Sequence, residues 1–322
     1  MKSAWLSRIP AGLFAIPVGL FGLAGAWQRA IGYRWNMTED ISNALLSLTL
    51  VVWGILLLLY AAKCIVHFQE VRKEFLHPVQ GPLLALVPLS VMLAAIDLGQ
   101  PGSSGWLILV LLALAVQGVI AIRVVSILAT GRIPSKAITP ALYLPFVGGG
   151  FVGGMTMATL NYPGWGALLF GMGLAGWALL EARILSRLFE GPMPAALRPT
   201  IGVELAPPAV ATLAAGMIWP QLPGDVLIVG LGIAAGPIVA VLARYRWWHD
   251  VPFSAGFWSF SFPLAALAGV VIEVVLRGGW PPWIGGIALL LASVVIVWLA
   301  ARTLALLFTG KLLPAEHVVI EA

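Results

Sequence analysis

Only one cysteine, Cys64, occurs in 322 residues, which excludes an intramolecular disulfide and any metal or iron–sulfur site built from several thiolates of one chain. Charge is equally scarce. The 18 basic and 13 acidic side chains amount to 10% of the sequence, too few to cover a soluble domain. The four histidines, His67, His77, His249 and His317, fall in the connections and tail between or beyond the apolar runs, so bis-histidine haem ligation within a bundle has no support. No H-E-x-x-H helix, G-x-S-x-G elbow, Walker loop or dinucleotide fingerprint is present, and an enzyme is not expected. The reading predicts no cofactor and no bound metal.

What is abundant is apolar sequence. Hydrophobic residues make up 61% of the chain and the mean hydropathy is +1.00, as in an all-α integral membrane protein. Gaps between charged residues delimit the spans. The first helix is expected over Ile9–Trp27, the second between Asp40 and Lys63, the third within Phe75–Ile96, and the fourth from Trp106 to beyond Arg123. Ala137–Leu180 holds 44 uncharged residues, too long for one span at about 1.5 Å per residue. Asn161-Tyr162-Pro163-Gly164 supplies the break that divides it into helices five and six. Leu205–Gly224, Val226–Ala243, Val251–Ile272 and Gly278–Ala301 complete a count of ten. A single transmembrane domain over 1–322 follows, with 1–8 and 312–322 as short tails.

Basic residues orient the chain. Fifteen of the 18 fall after even-numbered helices or in the termini, against Arg29, Arg34 and Arg277 on the other side. That asymmetry places both termini in the cytoplasm of a bacterial-type inner membrane. The net charge of +5 is then a product of insertion and makes no case for a nucleic-acid partner. Lys2, Arg8 and Ala24-Gly25-Ala26 also have the outline of a secretory signal with its cleavage site, although cleavage would remove the first member of the repeat below.

Prolines recur in the odd helices. Pro17, Pro88, Pro145, Pro207 and Pro263 lie inside them at intervals of 71, 57, 62 and 56 residues, a loose period of one helical hairpin. Pro237 in helix eight is the exception. A proline within a helix gives no N–H and crowds the carbonyl one turn back, so each odd helix is expected to kink. One such kink is ordinary packing. Five in register suggest five hairpins, the odd helices gathered round an axis and the even ones outside, because irregular backbone at membrane depth must face protein or a water-filled path. Glycines in helices one and five, Gly12, Gly19, Gly148-Gly149-Gly150 and Gly153-Gly154, leave room for close backbone approach or for a bore.

The ninth helix carries the densest signal, Trp258-Ser-Phe-Ser-Phe262-Pro263. Phe260 and Phe262 lie two apart, roughly 200° round a helix, so both cannot face one axis. Ser259 and Ser261 are the polar groups at hand. Among ionisable residues, Asp97, Glu273, Glu181 and Glu204 sit toward helix ends, where snorkelling or local pairing is the ordinary explanation, and Asp97 and Glu204 are retained for a possible charge role.

Pro10-Ala-Gly-Leu-Phe-Ala-Ile-Pro17-Val-Gly, Tyr143-Leu-Pro145, Leu205-Ala-Pro207 and Trp258-Ser-Phe-Ser-Phe262-Pro263, taken together and in order, resemble the tellurite-resistance/dicarboxylate transporter family, which includes the slow-type anion channels of plant guard cells. The resemblance spans essentially the whole chain. It implies ten helices in quasi-fivefold hairpins, a pore in each protomer, a homotrimer, and passage of small anions such as chloride and nitrate, with some relatives carrying malate or sulfite. It also implies that a phenylalanine on the ninth helix closes the pore. Phe262 holds that position, with Phe14 as its packing partner, which leaves Phe260 to packing. Two residues depart from the family pattern: Ala15 stands where glycine is frequent, and Glu204 precedes Leu205-Ala-Pro207, where a carboxylate at the mouth would repel anions unless neutralised. A proton-coupled carrier of dicarboxylate, sulfite or tellurite is the alternative, and a membrane-anchor or quinone-site subunit is a third. The expected partners are small inorganic or organic anions and the lipid bilayer.

Overall fold

A computed structural model describes residues 4–35, 38–131 and 134–313. Lys2, Arg132 and His317 lie outside the described residues, with 1–3 of the expected N-terminal tail and 314–322 of the C-terminal one. Ten helices are long and apolar enough to cross a membrane: Ala11–Tyr33, Thr38–Val66, Gln80–Leu98, Ser104–Ala129, Pro140–Thr159, Pro163–Arg187, Ala195–Ile218, Gly224–Ala243, Ala255–Gly278 and Pro282–Phe308. They are called here the first to tenth spans. The chain is a multi-pass, all-helical membrane protein.

Odd and even spans separate by burial. In the most apolar stretch of each odd span 61–83% of residues are buried within the protein, against 11–33% in each even span. The even spans turn long aliphatic side chains outward, Leu58, Leu179 and Leu290 among them. The odd spans are rich in Gly, Ala and Pro, which suits them to close packing. Gly150 and Gly154 of the fifth span show this directly. A Cβ on Gly150 would fall 2.6 Å from the Cα of Gly173, and one on Gly154 would fall 2.9 Å from the carbonyl oxygen of Gly166. Here the fifth and sixth spans touch backbone to backbone.

The inner prolines do not kink continuous helices as the sequence suggests. They open them. In the ninth span a 3-10 stretch, Ala255–Phe260, gives way to an α-helix, Ser261–Gly278, with Pro263 as its third residue. Pro17 is third in Ala15–Ala30, Pro88 third in Leu86–Leu98, and Pro207 second in Ala206–Ile218. The first-turn N–H groups of an α-helix have no partner within it, so a proline there forfeits nothing and its fixed φ fits. Pro145 differs, sitting in a π-helical turn, Leu144–Gly148.

Side chains serve the backbone groups around these breaks, as burial in an apolar medium requires. The Gln117 amide of the fourth span donates to the carbonyls of Leu144 (2.8 Å) and Pro145 (2.9 Å). Trp53 donates to Ser90, whose hydroxyl donates to the Val87 carbonyl (2.6 Å). Ser261 donates to the Trp258 carbonyl (2.6 Å), and the Trp258 indole donates to Thr303 of the tenth span (2.8 Å).

Several span limits differ from the charge-gap reading because charges lie inside the bundle. Lys63 is 1% exposed, paired with Glu74 at 3.0 Å and donating to the Ile9 carbonyl at 2.6 Å. The seventh span begins at Ala195 rather than Leu205, because Glu204 is turned into protein and not into lipid.

Candidate functional site

A cavity of about 460 Å³ is lined by residues from all five odd spans and, at one end, by Leu306 and Lys311–Leu313. Its polar residues cluster near the starts of those spans: Gln80, Tyr143, Thr200, Ser254 and Ser259, with Lys311 beside them. Farther along the spans the walls are Val18, Leu93, Phe151, Val152, Val210 and Phe262. The cavity therefore has a polar end and an apolar interior. Arg8 donates to the Leu313 carbonyl (3.4 Å), tying the two ends of the chain near that polar end.

The expected site residues divide sharply. Phe262, Pro207, Pro263, Ser259 and Ala15 line the cavity. Pro17, Pro88, Pro145 and Ser261 are buried and do not. The Ser259 hydroxyl donates to the Pro199 carbonyl of the seventh span (2.5 Å), so its oxygen lone pairs are what it offers the passage. Phe260 packs on Trp248, ring centroids 4.7 Å apart, and against Gly202. Phe262 is only partly buried.

Phe14 is fully buried and edge-on to Tyr60, ring centroids 5.7 Å apart, outside the cavity lining. The surface under Phe262 is Gly22 instead, where a Cβ would fall 2.9 Å from Cδ2 of the ring. Gly19 likewise has no room for a Cβ beside Ser261. The row Gly19, Gly22, Gly25 at intervals of three on the first span was the available sequence signal. Gln117 carried a signal too, as an amide in an otherwise apolar run.

Neither retained acid lines the cavity. Asp97 belongs to a charged cluster at the far ends of the odd spans. There its carboxylate and the Arg29 guanidinium converge over Gly25, while Glu273 pairs with Arg277 (2.8 Å) and Arg29 (3.7 Å). Arg29 also reaches Met217 of the seventh span. Glu204 is 9% exposed and faces sideways, toward Glu181 and Arg244, so it does not stand in the mouth where it would repel anions.

His77 stands just before the third span. Its Nδ1 accepts from the backbone N–H groups of Val79 and Gln80, both at 3.1 Å, and both residues line the cavity. Burial pushes its pKa down from the ordinary histidine value, consistent with the neutral ring that Nδ1 must be to accept.

Known proteins are similar to the chain in sequence. The chain is 29% identical over 266 residues, 81% of its own length and 79% of the relative's, to the tellurite resistance protein TehA homolog of Haemophilus influenzae. It is 23% identical to the S-type anion channel SLAH2 of Arabidopsis thaliana, covering 93% of this chain and 58% of that one. It is 24% identical to the guard cell S-type anion channel SLAC1 of the same plant, covering 84% and 50%. The chain thus spans between half and three fifths of those two plant channels. The family profile described as SLAC1, voltage-dependent anion channel, matches residues 8–304; with ten apolar spans and an odd-span cavity as its setting, the chain belongs to that family of anion channels.

Proposed function

We propose that the protein is a channel for small monovalent anions, chloride- or nitrate-like, passing through each protomer and closed by the Phe262 ring. The observation that carries this reading is the position of Phe262, partly buried in the apolar part of a cavity to which every odd span contributes. An apolar ring in a narrow apolar bore blocks an ion by denying it water. Few polar walls also mean weak binding and fast exit, as conduction requires. Lys311 and the nearby Arg8 would raise the anion concentration at the mouth within about 8 Å, the Debye length at physiological salt. The placement of Asp97 and Glu204 outside the lining leaves a proton-coupled carrier without its candidate acids there. A homotrimer in a bacterial-type inner membrane, both termini cytoplasmic, and a single functional domain over the whole chain complete the proposal.

The test is current through reconstituted bilayers. Phe262→Ala is expected to raise chloride current at least tenfold in correctly assembled protein, with ohmic behaviour and similar nitrate permeability. Unchanged current would sink the gate, and saturating flux that follows the pH gradient would favour the carrier.

A further inference from the structure

A second cavity, of about 230 Å³, opens away from the axis between the sixth, seventh and eighth spans. It is lined by Glu204 of the seventh span, 9% exposed, by Glu181 of the sixth and by Arg244 at the end of the eighth, the last two only partly buried. Gly236 and Pro237 form the facing wall, which accounts for the single proline inside an even helix that the hairpin repeat leaves over.

The two carboxylates are not equivalent. Glu181 accepts from the Tyr143 hydroxyl and from the Trp177 indole (3.0 Å). The Tyr143 hydroxyl has one proton and spends it there, although Glu204 lies close to it. Glu204 is left with Oε1 shielded from solvent and without a hydrogen-bond partner among the described residues. Arg244 is the cation whose field reaches Glu204, yet no ion pair within 4.0 Å joins them. A bare buried carboxylate oxygen is costly unless something fills the gap.

We infer that this cavity holds the headgroup of a phospholipid carrying a primary ammonium beside its phosphate, the ammonium donating to Glu204 and the phosphate meeting Arg244. The order of charges, the anion buried and the cation only partly so, matches such a zwitterion and not its reverse. The surroundings favour a lipid over a soluble amine. Leu185, Val239 and Leu242 on the flanking even spans are 44%, 65% and 62% exposed, a surface for acyl chains. Tyr245, Trp247 and Trp248 follow directly after Arg244, the aromatic residues that mark headgroup level. Tyr143, which donates to Glu181 of this cavity, also lines the central cavity, so one side chain links the two.

Thermal unfolding of the purified full chain in detergent tests this. Dioctanoyl phosphatidylethanolamine is expected to raise the unfolding temperature by about 2–4 °C, dioctanoyl phosphatidylglycerol to do less than half as much, and soluble O-phosphoethanolamine at the same concentration to do nothing. Glu204→Gln, nearly isosteric, should abolish the preference; Arg244→Gln, at the span's end, serves the same purpose if the first variant does not fold. Equal shifts from the two lipids, or a preference that survives in the variants, overturns the site. An equal shift from soluble O-phosphoethanolamine overturns the lipid as its occupant.

Discussion

The Phe262 ring lies on bare backbone: Gly22 of the first span is beneath it, and a Cβ there would fall 2.9 Å from Cδ2 and 3.1 Å from the Ala265 methyl. The ninth span thus carries the ring and the first span supplies its seat. Where that ring rests follows from a residue that has no side chain.

Gly22→Ala should therefore cost about 1–3 kcal/mol through overpacking, with most of that cost absent in a Phe262→Ala background. Denaturant unfolding of the two single variants and the double variant measures the coupling. Additive costs would mean that the ring and the glycine are not in contact.

Gln117 holds the π-helical turn at Pro145 by donating to two carbonyls. Gln117→Leu is expected to lower stability by about 1–3 kcal/mol for each carbonyl left buried without a donor. Gly149→Ala should act on the same contact from the other side, since a Cβ there would fall 2.6 Å from the Gln117 Cγ. Unfolding temperatures of the two variants and their combination check this, and the combination should fall well short of the sum.

His77 makes the start of the third span pH-sensitive. Burial lowers its pKa, so the unfolded chain takes the proton first. The stability that the neutral ring contributes is complete above about pH 6.5, the ordinary histidine value, and is lost as pH falls below it. Protonation of Nδ1 also ends its acceptance from Val79 and Gln80. Hydrogen exchange at Gln80, corrected for the intrinsic pH dependence, should show falling protection between about pH 6.5 and 5. His77→Asn, which retains a short acceptor, should be flat across that range.

Much of the architecture was legible from the chain. Ten apolar runs, the break at Asn161–Gly164 and the proline period among odd helices require only length, charge and periodicity, and burial of the odd spans accords with that pattern. Phe260 and Phe262 part as a two-residue step on a helix demands. The mechanism of the proline breaks was not legible, because a kinked helix and a helix restarted after a 3-10 turn carry the same proline. Nor was the direction of Glu204, since charge in a sequence has a position along a helix but no azimuth until neighbours are packed.

Composition and order alone made this chain a membrane protein, counted its spans and marked the stretch from Trp258 to Pro263, because transfer of apolar length into lipid and the missing proline N–H are local properties. Only the tertiary structure decided what faces the axis. It seated Phe262 on Gly22 rather than Phe14, enclosed Ser261, and turned Glu204 into a separate lateral cavity. Those outcomes depend on close approach between spans far apart in sequence, and contacts of that kind are set by packing.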